Sequence, residues 1–345
     1  MAEWDSFLDI EALLRDVPSF DTSYASAARR HNDSLTKPQG ALGRLETLAC
    51  WLAGWQQRTY PKAATLFARV YAGNHGVTVH SVSAYPSAVT KEMVAHFKKG
   101  GGAVSQLSAL HGVSLTIHEM SLDTPTQDIT CGQAMDEESC LAALRYGFDS
   151  VTGEEDILAI GEMGIGNTTC ASALCCALFG GDVADWVGAG TGLEGKERKH
   201  KVHIIETALA YHHSALARKN ARKNVWHCLC AVGGYEVAAM VGALIAARRR
   251  RIPVILDGFV CCAAASCLFA YDHDLLSHCW AGHLSYEKGH KRLLDLLGLS
   301  PLLSLDMRLG EASGAVLALG IVRAAVMCHN GMDSFHDASV SDKTS

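Results

Sequence analysis

The 345-residue chain lacks any surplus of positive charge: 30 Lys and Arg stand against 36 Asp and Glu, a formal net charge of −6. That removes the electrostatic reason to bind nucleic acid. The densest basic run, Arg248 to Arg251, closes the apolar segment VGALIAA. It reads as the last turn of a helix, where cations meet the negative dipole end. Long apolar runs are missing too; the longest stretch, FVCCAAASCLFAY (259–271), is too short for an ordinary membrane span. The N-terminus, MAEWDSFLDIEALL, has no basic segment followed by a continuous apolar core, so no secretory signal is expected. Although there are 13 cysteines, none stand in CxxC spacing, and a zinc knuckle is not signalled. Reduced, mostly buried thiols of a cytoplasmic protein are expected instead. Internal repeats are absent as well.

What is present is an apolar fraction of 49% with 19% charged residues, the composition of a folded globular chain. Residues 1–60 read as helical, since WDSFLDIEALL and LGRLETLACWLAGWQ carry apolar residues at i, i+3, i+4 spacing around a TKPQGALG turn. From about residue 65 short apolar runs alternate with Ala-rich helical segments. The candidate strands are LFARVYA (66–72), VSLTIHEM (113–120), DILAI (156–160), DWVGA (185–189), CLCAV (228–232) and PVILD (253–257). Strands alternating with helices predict parallel βαβ units and an α/β fold with a covered sheet. Glycine-rich segments follow five of these runs: GNHGV, GEMGIGNTT, GTGLEG, GGYE and DGFV. Ligands bind beyond the carboxyl ends of such strands, so five exits of this kind suggest a shared mouth. Residues 331–345 read as a mobile polar tail.

Four segments carry candidate chemistry. In GEMGIGNTT (161–169), Gly164 and Gly166 permit a tight turn, and Asn167, Thr168 and Thr169 open an apolar helix whose N-terminus suits a phosphate. No lysine follows the glycines, which excludes the ATP-binding P-loop; alone, the segment is equally an ordinary capped turn. Glu162 is a carboxylate placed beside this anion-friendly loop. In MRLGEASGAVLAL (307–319), Glu311 sits between Gly310 and a run of small residues. An isolated glutamate there reads as a first-turn helix residue, but two glutamates set in glycines point to chemistry. A carboxylate in a closed apolar pocket has a raised pKa, as a general base needs. Asp257, at the end of IPVIL, either accepts from ribose hydroxyls or caps the next helix. In GTGLEGKERKHKV (190–202), a lysine can supply the positive charge that the 161–169 loop lacks, although most of these charges suit a solvated helix face. His75, His283 and His290 fit no compact metal template, and no metal site is expected.

KPQGALGRLE, GNHGV, YPSAVTKEMV, GGAVSQL, GEMGIGNTT, GAGTGLEG, VGGYEVAAM, DGFVCCAAA, GHLSYEKGH and MRLGEASGAVLAL occur in that order. Together, from about residue 35 to 327, they resemble the nicotinate-nucleotide–dimethylbenzimidazole phosphoribosyltransferase family. The resemblance implies transfer of the 5-phosphoribosyl group of nicotinate mononucleotide to 5,6-dimethylbenzimidazole. Nicotinate and α-ribazole 5′-phosphate are the products, for the nucleotide loop of cobalamin. It implies a Rossmann-like, mostly parallel sheet (61–300) flanked by helices, with a smaller helical domain from both chain ends (1–60 and 301–330). A cytoplasmic homodimer needing no metal or organic cofactor is also implied. By the same matching the general base falls on Glu311 and the second active-site glutamate on Glu162. Gly164, Gly166 and Asn167 line the nucleotide site; Gly190, Lys201, Gly258 and Ser285 hold the phosphate, and Asp257 the ribose. Tyr85, Glu92, Met93, Met163, Leu309 and Gly310 surround the base. The family's usual Asp before HGV is Asn74 here, its usual Gln before Met93 is Glu92, and a segment of the type VVDMGV has become TIHEMSL. These departures bear on the acceptor. Transfer to a purine or phenolic acceptor, and a catalytically silent nucleotide-binding homologue, stand as alternatives.

Overall fold

The computed structural model describes residues 4–188, 190, 192, 195–216 and 221–341. At its centre is a parallel five-stranded sheet in the order β2-β1-β3-β4-β5. The strands are β1 (Leu66–Gly73), β2 (Ser114–Met120), β3 (Ile157–Met163), β4 (Val254–Leu256) and β5 (Cys279–Ala281). A two-stranded parallel pair, β6 (His283–Leu284) and β7 (Leu303–Ser304), lies just beyond β5. The chain leaves β1 toward β2 and then returns across it to β3. The sheet therefore reverses direction of growth between β1 and β3, which opens a crevice at their carboxyl ends.

Alternation along the strands explains why both faces are covered. Leu158, Ile160, Val254 and Leu256 face a core built with the helices Glu137–Ser150, Asn167–Phe179, Tyr235–Arg249 and Phe259–Tyr271. Ile157, Ala159 and Ile255 face a second core built with Arg44–Gln56 and Ser313–Gly331. The first helix, Phe7–Arg15, buries Ile10 and Leu14 in the first core, whereas Arg44–Gln56 and the last helix share the second layer. Thr36 N–H donates to Asp333 O at 3.0 Å, and Phe335 N–H to Ser34 O at 3.2 Å, tying the start of the polar C-terminal segment to it. Ser313–Gly331 is the one described helix long and apolar enough to cross a membrane by length and composition, and half of it is buried in this core.

Two expected strands are helical. CLCAV is the last turn and more of the helix Ala221–Val232, and DWVGA contains part of the short helix Val183–Trp186, begun by the Asp182 side chain accepting from Ala184 N–H. Position 189 of that run lies outside the described residues. Short apolar runs do not distinguish a strand from a buried helical turn, and here the contacts of a preceding turn decide. The unexpected strands, β5, β6 and β7, have only three, two and two residues.

The helices Glu137–Ser150 and Tyr235–Arg249 meet backbone to backbone through Gly147 and Gly242. A Cβ on Gly242 would fall 1.8 Å from Leu144 O, and one on Gly147 1.8 Å from Ala239 O. Neither neighbour is a flexible side-chain end, so the helices would have to separate. Gly242→Ala is expected to cost about 2 kcal/mol by such overpacking, read as a lower midpoint in urea with an unchanged slope.

Candidate active site

A cavity of about 580 Å³ opens beyond the carboxyl ends of β3 and β4. Its floor and first wall come from the β3 exit: Glu162, Met163 and Gly164, then Ile165, Asn167 and Thr168 at the start of the helix Asn167–Phe179. Gly258, Phe259 and Val260 line it from the β4 exit, with His283, Ser285 and Glu287 beside them. The segment Arg308–Glu311 closes a third side, and Tyr85, Val89 and Met93 a fourth, while Gly190 lies beside Thr168.

Glu311 is delivered by an unusual piece of backbone. Gly310, Glu311 and Ala312 have φ of 86°, 64° and 68°, three consecutive left-handed residues of which only one is glycine. Such conformations cost energy for residues with a Cβ and persist only where surroundings fix them. Here Glu311 N–H donates to Glu162 O at 3.1 Å, anchoring the turn to the end of β3. The approach is close enough that a Cβ on Gly161 would sit 2.1 Å from Ala312 N. The turn thus brings two glutamates distant in sequence to one floor.

Three carboxylates crowd together there, Glu162 and Glu311 on the floor and Asp257 behind the wall. Desolvation pushes Glu162 up to about 8, helped by Asp257 and Glu236 and opposed by the Asn167 amide that donates to its Oε2. Burial raises Glu311 to about 7, with Asp257 adding to the rise. Burial raises Asp257 to about 7 against the pull of the Ala315, Gly314 and Ala312 amides. Glu311 Oε2 and Asp257 Oδ2 are buried with no hydrogen-bond partner among the described residues.

The GEMGIGNTT loop rests on a buried pair. His75 Nε2 lies 2.7 Å from Glu236 Oε1, and its Nδ1 3.3 Å from Cys170 Sγ in the first turn of the following helix. Burial works against a charged His75, but the Glu236 carboxylate outweighs it and holds the imidazole well above its usual 6.5. At the other end, Lys201 is buried with its Nζ donating to Thr168 Oγ1 at 2.7 Å. Burial pulls it down to about 8, while the Glu287 carboxylate acts in the opposite sense. Gly190 must be glycine there: its φ is 53°, and a Cβ would lie 3.1 Å from both Lys201 Nζ and Thr168 Oγ1.

Most residues singled out by motif therefore line one cavity. Four do not. Gly166 turns the chain at φ 93°, with its α-carbon packed toward Thr78. Lys201 lies behind Thr168, Asp257 behind His283, and Glu92 is exposed on the helix Ala88–Lys98. Residues on the wall that motifs alone do not single out include His283, Glu287 and Arg308. His283 belongs to the motif GHLSYEKGH, but there its residue type suggests only a metal ligand. Among the described residues no group of three or more His, Cys, Asp or Glu is arranged to hold a metal.

The raised carboxylates make a stability prediction. A folded-state pKa above the unfolded value means the native site binds more protons, so stability falls as pH rises through that range. Glu162, Glu311 and Asp257 are all in this position between pH 6.5 and 7.5. The depressed histidines His118, His212, His278, His283, His290 and His329 act in the opposite sense, mainly below pH 7, and Lys201 mainly above 8, while the raised His75 adds to the fall. The ligand-free protein is expected to melt at a higher temperature at pH 6.5 than at 7.5, and Glu162→Gln to flatten that slope. A melting temperature that rises with pH over this interval contradicts the crowding.

Comparison with known proteins gives the chain its relatives. A family model described as Phosphoribosyltransferase matches residues 17–340. The nicotinate-nucleotide–dimethylbenzimidazole phosphoribosyltransferase of Mesorhizobium japonicum is 50% identical over 97% of this chain and 98% of its own. The chain belongs to the nicotinate-nucleotide–dimethylbenzimidazole phosphoribosyltransferase family. The relative of that name from Rhizobium rhizogenes is 47% identical over 98% of both chains. The crystal structure of CobT from Thermus thermophilus superposes with a TM-score of 0.85 at 35% identity, covering 93% of this chain and all of that one. The fold is thus that of the phosphoribosyltransferase family, a mostly parallel sheet flanked by helices. Of the departures from the family pattern, Asn74 is buried and its amide donates to Leu122 O at 2.8 Å, a bond an ionised aspartate cannot make.

Proposed function

We propose that this phosphoribosyltransferase moves the 5-phosphoribosyl group of nicotinate mononucleotide to 5,6-dimethylbenzimidazole or a related base. Nicotinate and α-ribazole 5′-phosphate are the products, for nucleotide-loop assembly of cobalamin. The observation that carries the reading is the pair of raised carboxylates, Glu162 and Glu311, joined by the Glu311 N–H to Glu162 O bond on one cavity floor.

Each charge then has a task. The acceptor nitrogen must lose its proton as it attacks C1′, and Glu311, with a pKa near 7 and an unpartnered Oε2, is suited to receive it. Positive charge gathers at C1′ and the ring oxygen as nicotinate departs, and the Glu162 carboxylate stabilises it electrostatically. Although burial raises Glu162, the pyridinium of the bound nucleotide is a cation that favours its ionised form. The phosphate is held by Lys201 through the Thr168, Gly190 and Ser285 side of the cavity, with Gly164, Gly258 and Asn167 completing the nucleotide wall. Tyr85, Met93, Met163 and Leu309 give the base an apolar slot, which suits a dimethylated bicycle better than a polar purine. Glu92, exposed beside this wall, is not needed for that slot.

A homodimer accords with the exposed Tyr85 and Leu309 at the cavity mouth, apolar surface that a second copy would cover. A cytoplasmic location accords with 13 cysteines of which none is disulfide-bonded. Incubation of the protein with nicotinate mononucleotide and a panel of benzimidazole, purine and phenolic acceptors tests the reaction. Nicotinate release and an α-configured nucleoside phosphate are expected with benzimidazoles; no release with any acceptor would sink the proposal.

A further inference from the structure

Arg308 stands on the cavity wall without a task in the reaction as described. Of the described residues that line the cavity it alone carries positive charge, since burial lowers His283 to about 4 and keeps that ring neutral. Its guanidinium has no ion-pair or hydrogen-bond partner among the described residues, although Glu162, Glu287 and Glu311 line the same cavity. The backbone on either side of it is anchored. Tyr286 N–H donates to Met307 O at 2.9 Å, and Glu311 N–H to Glu162 O at 3.1 Å. An exposed, unneutralised cation is thus mounted on a fixed span of chain.

Nicotinate mononucleotide has two anionic groups to offer it, the phosphate and the ring carboxylate. The phosphate side already has a cation of its own, Lys201, bonded to Thr168 beside Gly190. Arg308 instead precedes Leu309 and Gly310, on the wall given to the bases. Glu162 narrows the choice further. A Cβ on Gly310 would fall 2.7 Å from Glu162 Oε1, so that carboxylate lies against the chain two residues from Arg308. One wall therefore carries an anion and a cation close together. The nicotinate ring of the nucleotide is a zwitterion, with a cationic nitrogen at C1′ and an anionic carboxylate across the ring. The acceptor, 5,6-dimethylbenzimidazole, has no anionic group to place there.

Resting on the phosphoribosyl-transfer reading, we propose that Arg308 binds the carboxylate of the nicotinate ring and so selects nicotinate over nicotinamide as the leaving base. The pairing strengthens as the reaction proceeds. When the bond from C1′ to the ring nitrogen breaks, its electron pair returns to that nitrogen, and the base passes from a net-neutral zwitterion to an anion. A guanidinium favours the anion over the zwitterion, so the contact assists departure as well as binding.

Calorimetry and base release, each with nicotinate mononucleotide and with nicotinamide mononucleotide, test this on wild type, Arg308→Gln and Arg308→Lys. The side chain is exposed, so both variants are expected to melt as wild type does. Wild type should bind nicotinate mononucleotide roughly 10- to 100-fold more tightly than nicotinamide mononucleotide, the worth of a charge-assisted pair. Arg308→Gln should remove most of that ratio by weakening the nicotinate nucleotide alone, and should slow its base release, while Arg308→Lys keeps part of the ratio. No preference in wild type, equal weakening of both nucleotides, or a ratio unchanged in Arg308→Gln overturns the assignment while leaving the reaction intact. Failure of wild type to bind nicotinate mononucleotide, together with no nicotinate release, would overturn the reaction and this contact together.

Discussion

Replacing Glu311 by glutamine is expected to lower turnover by about 10²–10⁴-fold while nicotinate mononucleotide still binds. Glutamine matches glutamate in shape, so the left-handed turn at 310–312 and the Glu311 N–H bond to Glu162 O are preserved. What is lost is an oxygen that can take a proton. Because burial raises the carboxyl to about 7, wild-type kcat/KM should rise with pH through that region, as the base becomes ionised. The variant should lose that limb along with the rate. Binding is measured separately, by calorimetry with nicotinate mononucleotide alone. Unchanged turnover would remove Glu311 from the chemistry, and a lost pH limb with unchanged rate would mean that another step limits the reaction.

The means by which Glu311 is placed is hidden in the sequence, although its identity is not. Glycines and small residues around it announce a close approach, and Gly161 and Gly310 are where that approach occurs. Nothing in RLGEASGA, however, announces that glutamate and alanine would themselves adopt positive φ. That conformation is imposed by tertiary contact with β3, and the raised pKa values arise from the same enclosure. The sheet shows a similar division. LFARVYA and DILAI are legible because apolar strands between polar turns are locally distinct. CLCAV is not, since five apolar residues fit a buried helical turn as well as a strand, and only the preceding turn from Ala221 decides. Of the two three-residue strands, β4 registers because it lies within the apolar run PVILD, whereas β5, CWA between His278 and Gly282, has no such run around it. His283 is visible in GHLSYEKGH, where its type suggests only metal binding; its place on the cavity wall, against Asp257 from the end of β4, is set by tertiary contact.

Lys201 reverses the pattern in part: chemistry calls for a cation from residues 190–202, and the family resemblance singles out Lys201 among them. A loop with glycines and a helix N-terminus but no lysine needs a cation from elsewhere, and Lys201 Nζ lies 2.7 Å from Thr168 Oγ1 in that same loop. Lys201→Met is therefore expected to raise the KM for nicotinate mononucleotide by about 30- to 100-fold, the worth of a charge-assisted bond, with a smaller change in kcat. Its effect on stability should have the opposite sign. Burial has lowered the lysine to about 8, so folding holds an ammonium where water cannot solvate it, and a methionine of similar length removes that cost. The ligand-free variant should melt no lower than wild type, while nucleotide, which raises the wild-type melting temperature, should raise the variant's much less. A variant that melts early and keeps its KM would show Lys201 to be a structural ammonium serving Glu287 and Thr168, with the phosphate held by backbone amides alone.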